Sequence, residues 1–411
     1  MTNESLHLHR LDNGMTLVAE DLPDVMSAAF VFLLPAGVIY DPPGHTGATS
    51  VLSDLIFRGA GPYDNRALND ALDDLGLHRH SAVATTHATF GGSLIHDKLL
   101  DALRLHAHIL RRPTLADADV DVCRELNLQS LASIDDEPQH KVGLLTLEHF
   151  LPYPYGRPAS GKPDEVRSLT ADNLRQHYAN QFTPHGTILA VAGRFDLDAL
   201  RAAFQSLFAD WTGPVVQPPP PADVCPQNFH QHFPGSQVHI GLAYPAARFD
   251  HPDYYAALAA SAILSGGMGS RLFTEVREKR GLCYAVHASY RAYGPYGAIR
   301  CYLGSSPDRA QQALDVTLQQ LRSLAQGIDS AELDRATVGL RASLIMQGES
   351  SGSRAGACAS DLAYLGRVRP LAEIENAILA LTVENVVAYA HKFPADKITV
   401  ASLGPQQLMI A

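Results

Sequence analysis

The pattern of apolar and polar positions predicts two halves with a similar order of elements. In the first half the pattern predicts strands at 15–20 and 28–34, helices at 45–58 and 65–75, strands within 81–95 and helices within 97–149. A helix at 169–182, a strand at 186–193 and a helix at 196–208 follow. In the second half the pattern predicts a strand at 237–245, helices at 253–264 and 270–279, and strands within 283–304. Helices within 307–392 and a strand at 397–404 follow. Strand pairs and helix runs in the same order twice predict an α+β fold of two similar halves, each a mostly antiparallel sheet packed against helices.

A proline-rich stretch, VVQPPPPADV at 215–224, divides the chain. Four consecutive prolines fit neither a helix interior nor a central strand, so this stretch predicts an extended linker. We therefore predict an N-terminal half at 1–214, a linker at 215–224 and a C-terminal half at 225–411.

Composition limits the classes of function. The chain has 411 residues, 46% hydrophobic and 18% charged, which is enough for two or three domains with a large core. The net charge of −11 and the lack of any block of Lys and Arg argue against nucleic acid as a partner. The acidic balance favours basic peptides over acidic ones as ligands.

The sequence suggests a cytoplasmic protein without a membrane partner. The opening MTNESLHLHRLDNG lacks the apolar region of a secretory signal, and no run of 18 apolar residues occurs. The five cysteines are scattered, and none forms C-x-x-C. We expect reduced, buried thiols.

The stretch TGATSVLSDLIFRGAG at 46–61 predicts an apolar helix that carries a polar face. Ser50, Ser53 and Asp54 are spaced i, i+3 and i+4, so their side chains share one side of the helix. This is the geometry with which a helix holds two metal ligands and a catalytic carboxylate.

The residues that follow, LIFRG at 55–59, make this segment similar to the opening motif of the pitrilysin and mitochondrial processing peptidase family, the inverzincin zinc peptidases. In that family an H-x-x-E-H helix precedes an apolar pair and F-[KR]-G. Counting back from LIFRG places Ser50 and Asp54 at the two His positions and Ser53 at the Glu position. The resemblance implies that the zinc-binding motif is replaced here.

The family's third zinc ligand is a Glu eight residues before the proline of an acidic stretch. In IDDEP that proline is Pro138, so the corresponding position is Ser130. Serine hydroxyls are poor zinc ligands and one carboxylate is too few, so we expect no metal and no cofactor in this chain. A serine nucleophile is the sharper alternative, but no G-x-S-x-G surrounds Ser50 or Ser53.

Histidines offer a second alternative. His78, His80 and His87 lie close in sequence and could hold a metal, which would make the chain an independent enzyme with a new site. Surface histidines, or buried ones with satisfied hydrogen bonds, are the simpler interpretation.

The stretch SGGMGSRLFTEVREKRGLCYAV at 265–286 resembles the second-half motif of the same family. Its Arg277 and Tyr284 are seven residues apart, with Ser270 as a predicted N-cap and Gly281 after the helix. The resemblance implies that both side chains reach a zinc site on the opposite half or subunit. There an arginine could clamp a substrate carbonyl or carboxylate, and a tyrosine hydroxyl could donate to the oxyanion.

Residue types alone allow a simpler interpretation of this segment. Arg277 could form a surface ion pair with Glu275 or Glu278, and Tyr284 could be a half-buried strand residue. Arg280 is another candidate arginine, but its spacing to Tyr284 differs from the family pattern.

A further stretch, at 151–196, also resembles the family, so the similarity covers nearly the whole chain. The family fold implies half of a clam-shell peptidase chamber. We predict a catalytically incomplete subunit of a heterodimeric zinc metallopeptidase, with zinc in a homologous partner that carries H-x-x-E-H, and peptides as substrates. The alternative is a structural or peptide-binding scaffold subunit without a role in chemistry.

Overall fold

The structure, a computed structural model, describes residues 6–410. The strands are β1 (Leu6–Arg10), β2 (Thr16–Asp21), β3 (Ser27–Leu34), β4 (Gly59–Ala60), β5 (Tyr63–Asp64), β6 (His78–Val83), β7 (Ala88–Ile95), β8 (Ile188–Gly193), β9 (Phe229–His232), β10 (Val238–Ala246), β11 (Ala285–Tyr293), β12 (Tyr296–Ser305) and β13 (Thr399–Gly404). The α-helices are α1 (Ala48–Leu55), α2 (Asn65–Asp73), α3 (Leu99–Arg111), α4 (Asp117–Ser133), α5 (Pro138–Phe150), α6 (Pro163–Arg167), α7 (Ala171–Gln181), α8 (Leu197–Phe208), α9 (Tyr254–Ser265), α10 (Ala310–Ser323), α11 (Ser330–Gly348), α12 (Ser351–Leu365), α13 (Leu371–Leu379) and α14 (Val383–Lys392).

The first compact unit is built on a sheet with strand order β1-β2-β8-β3-β7-β6. The β2–β8 pair is parallel and the other pairs are antiparallel. One face of this sheet packs against helices through buried side chains such as Phe30, Phe32, Leu52 and Phe204. Alternating side chains on a strand point to opposite faces, which leaves the other face to be covered separately.

The second compact unit repeats this topology. Its strand order is β11-β12-β10-β13-β9, with β13 and β9 parallel and the other pairs antiparallel. When the order of the second sheet is reversed, each of its strands has a counterpart in the first sheet. The edge strand β11 then corresponds to the edge strand β6. The predicted α+β fold of two similar, mostly antiparallel halves is thus confirmed at the level of strand order.

The two units exchange helical segments. The first consists of residues up to Ala132, Arg157–Pro219 and Met346–Pro370, and the second of Ser133–Gly156, Pro220–Ile345 and residues from Leu371 onwards. Within the first unit α12 covers the open face of the sheet, and within the second unit α5 covers β10 and β13. The units therefore differ from the predicted contiguous halves 1–214 and 225–411. One of the points at which the chain passes from one unit to the other, between Pro219 and Pro220, does lie within the proline-rich stretch. Periodicity identifies a helix but not the sheet that it covers.

Some elements escape the sequence pattern. Strands β1 and β9 read LHLHR and FHQH, and these short edge strands contain too few apolar residues for the sequence analysis to predict them. The predicted helix at 270–279 forms, but Phe273–Glu278 adopts π-helical geometry. Over residues 6–410, no helix combines the length and the apolar character needed to span a membrane.

Candidate functional site

A buried polar network fixes the start of α1, the helix that carries the first group of candidate residues. Asp41 accepts hydrogen bonds from the backbone N–H groups of Gly47 (2.7 Å) and Thr49 (3.0 Å) and from the Thr49 hydroxyl (2.7 Å). Since the single hydroxyl proton of Thr49 goes to Asp41, His177 Nε2, 2.9 Å from Thr49 Oγ1, is the donor of that bond. No motif reveals this network, because Thr49 and His177 are 128 positions apart in sequence.

The two serines on α1 donate their hydroxyl protons to backbone carbonyls. Ser50 Oγ donates to the carbonyl of Ala159 (2.6 Å), and Ser53 Oγ donates to the carbonyl of Ser50 (2.7 Å). The Ser53 bond, to a carbonyl three residues earlier, is a common way to satisfy a serine within a helix. Both bonds support the interpretation of Ser50 and Ser53 as structural polar residues.

Asp54 lies at the wall of a cavity of 520 Å³ in the first unit. Leu126 of α4 and Arg79 and His80 of β6 line the same cavity. Burial raises the pKa of the Asp54 carboxyl, and the neighbouring Arg58 opposes this shift. The geometry therefore leaves a single carboxylate where a metal site would need several donors.

Ser130, the position of the third ligand, is exposed on α4, one turn after Leu126. Zinc sites in proteins use His, Cys, Asp or Glu, three or four at a time. Within residues 6–410, no group of three or more such side chains could hold a metal ion. The residues at Ser50, Ser53, Asp54 and Ser130 do not fit zinc.

The three histidines of the alternative metal site do not form one. His78 and His80 are exposed on β6, whereas His87 lies in the turn before β7 with Thr86 Oγ1 2.9 Å from its Nδ1. Burial lowers the pKa of His87 to about 4. The structure thus gives no support to an independent enzyme built on these residues.

Arg277 is exposed on the π-helical segment, with its guanidinium carbon 5.1 Å from the centre of the Phe273 ring. The ion pair expected from residue types alone does not form with Glu275, whose carboxylate is 2.6 Å from both Lys279 Nζ and Arg280 Nη1. In the described part of the chain, no carboxylate lies within ion-pair distance of Arg277. This arginine therefore presents its charge to solvent.

Tyr284 is the residue before β11 and is 64% exposed. Its backbone N–H donates to the Gly304 carbonyl at 2.9 Å, which anchors the residue to the sheet while the ring points outward. Gly281, with φ of +59°, turns the chain between Arg277 and Tyr284, as predicted. Ser270 lies directly before the helical residues, as predicted for an N-cap, and its carbonyl accepts the Thr274 N–H at 3.0 Å, while its hydroxyl donates to the Gly267 carbonyl (2.6 Å).

Comparison with known proteins decides the family. Residues 16–159 match the model described as Insulinase (Peptidase family M16), and residues 168–339 match the model described as Peptidase M16 inactive domain. The chain belongs to peptidase family M16. The resemblance expected from LIFRG and from the stretch at 265–286 is confirmed.

Individual relatives of family M16 align over almost the whole chain. An uncharacterized zinc protease of Mycobacterium leprae is 29% identical over 96% of this chain and 91% of its own length. A protease from Helicobacter pylori superimposes with a TM-score of 0.91 at 19% identity, covering 97% of this chain and 99% of that one. The peptidase M16 inactive domain from Pseudomonas fluorescens does so with a TM-score of 0.88 at 22% identity, covering 98% and 99%. At these identities the two structures establish the shared fold.

Proposed function

We propose that this chain is the non-zinc subunit of a two-subunit M16 peptidase, and that it contributes Arg277 and Tyr284 to the site of a homologous partner that carries H-x-x-E-H. The observation that carries this proposal is the contrast between the two candidate groups. The zinc-site positions hold three serines and one carboxylate, a set that suits zinc poorly, whereas Arg277 and Tyr284 are exposed on an ordered turn. A chain with only the second group needs a partner for chemistry.

Within this proposal the two side chains act on the peptide. The Arg277 guanidinium, free of a carboxylate partner in the described residues, can clamp a carbonyl or carboxylate of the substrate. The Tyr284 hydroxyl can donate to the negative charge that develops on the scissile carbonyl oxygen. Removal of one such donor typically lowers the rate by ~10²–10³.

The free edge of the first sheet supports peptides as the substrate class. Strand β6 pairs with β7 on one side, and no described strand pairs with its other side. An extended peptide can add to such an edge through backbone hydrogen bonds. The adjoining cavity of 520 Å³, lined by Asp54 and Arg79, offers room for its side chains.

The test is turnover of a mixed peptide library by this chain reconstituted with an H-x-x-E-H homologue from the same genome. Tyr284→Phe removes one hydroxyl and should lower kcat by roughly 10²-fold with little change in KM. Arg277→Ala should lower kcat/KM, whereas Arg280→Ala should not. Arg280 is a matched control because it lies on the same segment but is paired with Glu275.

Two outcomes would decide against this proposal. Unchanged turnover with Tyr284→Phe would remove the catalytic role and favour the scaffold function, in which the chain supports a partner without contributing to chemistry. Equal losses with Arg277→Ala and Arg280→Ala would show a general effect of surface charge.

A further inference from the structure

A second polar cavity lies in the second unit, and neither Arg277 nor Tyr284 is among the residues that line it. It has a volume of 790 Å³ and lies between α5 and one face of strands β10, β11 and β12. Helix α5 packs mainly over β10 and β13 and reaches β12 less, so the part of this face on β11 is the most open. The proposed function assigns no role to this cavity.

The strand register makes the cavity wall polar. His287 is paired with Tyr302, and Ser289 with Arg300, so these side chains share the face that lines the cavity. The opposite face of the same strands packs into the apolar core through residues that include Ala288, Ile299, Cys301 and Leu303. The corresponding face of the first sheet is apolar on its central strands, where it packs on α12 through side chains that include Val31, Ala190 and Ala355. On β6 and β7, the counterparts of β11 and β12, the same face carries His78, His80 and Ser93. A polar edge of the sheet is thus common to both units.

Arg300 is the central charge of this wall. Its Nη1 is 3.2 Å from Tyr293 Oη and its Nη2 is 3.2 Å from the Gly143 carbonyl on α5, so both bonds go to neutral oxygens. A guanidinium has five N–H donors, and the remaining ones are available to a ligand. Glycine in the middle of α5 is unfavourable for the helix, but a Cβ at Gly143 would stand 2.8 Å from Arg300 Nη2. The helix thus makes room for the guanidinium.

A second arginine reinforces this charge. Arg291 is paired with Ala298, two residues from Arg300 on β12, so the two arginines are diagonal neighbours on one face. Within residues 6–410, neither arginine has a carboxylate within ion-pair distance. The carboxylate among the described lining residues, Glu137, lies at the N-terminal end of α5 with its Oε2 3.7 Å from His140 Nδ1. Like charges placed together without a counterion favour binding of an anion.

Hydrogen-bonding side chains complete the wall beside the arginines. His239 Nδ1 is 2.8 Å from Tyr302 Oη, and the His287 ring centre is 5.4 Å from the Tyr302 ring centre. Tyr302 is buried and held from both sides, so the group is rigid. Forked N–H donors next to a tyrosine hydroxyl and imidazoles suit the two oxygens of a carboxylate.

We propose that this cavity binds a carboxylate group of the peptide that the subunit handles, with Arg300 as the main contact and Arg291 as a supporting charge. This inference rests on the proposed peptide-handling function and adds a specificity to it. It also runs against the net charge of the chain, which by itself favours basic peptides. The carboxylate can be a peptide C-terminus or an acidic side chain, since both present the same two oxygens.

The test is calorimetric titration of the full chain, without a partner, with three N-acetylated neutral octapeptides. One has a free C-terminus and an internal Gln, one has an amidated C-terminus and an internal Glu, and one is amidated with Gln and carries no carboxylate. We expect at least one carboxylate peptide to bind tenfold or more tightly than the peptide without a carboxylate. Which of the two binds identifies the source of the carboxylate.

Matched variants locate the binding. Arg300→Gln should abolish the preference for a carboxylate, and Gly143→Ala should weaken it severalfold because the added methyl group displaces the guanidinium. Arg248→Gln removes the same charge from an exposed arginine of the same unit, paired with Asp250, and should keep the preference. Thermal unfolding of each variant establishes that its fold is retained.

Two results of the titration would count against a carboxylate site. Equal or absent binding of all three peptides would overturn the proposal, and so would equal losses with Arg300→Gln and Arg248→Gln. Turnover plays no part in this titration. A failure here, with turnover in the reconstituted pair still dependent on Tyr284, would therefore overturn the carboxylate site and leave the proposed function standing.

Discussion

At the scale of single residues, the hydrogen-bond partner of a side chain is more informative about its role than its residue type and its place on a helix face. The spacing of Ser50, Ser53 and Asp54 predicts a shared face, and the structure gives each a separate environment: two carbonyl acceptors and a cavity wall. The sequence identifies these positions by counting from LIFRG. It gives no sign of Asp41 or His177, because the bonds that join them cross more than a hundred positions.

Another buried histidine allows a prediction about pH. His106 has its Nδ1 2.9 Å from the Ala102 carbonyl and lies against Phe30 and Phe32, and burial lowers its pKa to about 4. Because the folded-state pKa is below the unfolded value of about 6.5, the unfolded chain binds a proton first as pH falls. The stabilisation is complete above about pH 6.5 and is lost between there and pH 4.

From pH 7 to pH 5, His106 should thus account for a loss of roughly 2 kcal/mol in the free energy of unfolding. His106→Phe should reduce the loss measured by urea unfolding at the two pH values by about that amount. His78→Phe, at an exposed position on β6, should retain the full pH dependence. An identical pH dependence in His106→Phe and the wild type would show that His106 does not titrate as described.

At the scale of elements, apolar periodicity predicts most helices and strands but not their partners. The runs at 28–34 and 186–193 form β3 and β8, adjacent in the first sheet. Helix α5 belongs to the second unit and α12 to the first. The local sequence of each predicts a helix but does not indicate which unit it joins. The π-helical geometry at Phe273–Glu278 likewise has no local signal in the sequence.

The docking of α12 depends on a buried ion pair. Arg354 of α12 donates through Nε and Nη2 to the two carboxylate oxygens of Glu20 on β2, at 2.8 and 3.0 Å. Arg354→Ala would leave the largely buried Glu20 without a counterion, which should lower the free energy of unfolding by about 3–5 kcal/mol. Hydrogen exchange within Ser351–Leu365 should become faster.

The matched control is Arg341→Ala, which removes the partly exposed ion pair with Glu375 at 2.8 Å. It should cost at most about 1 kcal/mol, because exposed pairs contribute little. Comparable losses for Arg354→Ala and Arg341→Ala in urea unfolding would contradict the role assigned to the Glu20 pair.

At the scale of the whole molecule, the chain has the fold of family M16 and a zinc-site helix without zinc ligands. Its second unit keeps an exposed Arg277 and Tyr284 and adds a cavity with Arg291 and Arg300. Together these features favour a subunit that binds and orients peptides for a partner. The sequence predicts the family and the pair at 277 and 284, whereas the cavity follows only from strand register.

The most direct test of this account compares peptide cleavage by the chain alone, by its H-x-x-E-H homologue alone and by the two mixed. A non-zinc subunit should cleave no peptide alone, and the mixture should cleave peptides at a rate that Arg277→Ala strongly reduces. Cleavage by this chain alone, retained when Ser50, Ser53, Asp54 and Ser130 are replaced by alanine, would rule out a non-zinc subunit and place the chemistry elsewhere in the molecule.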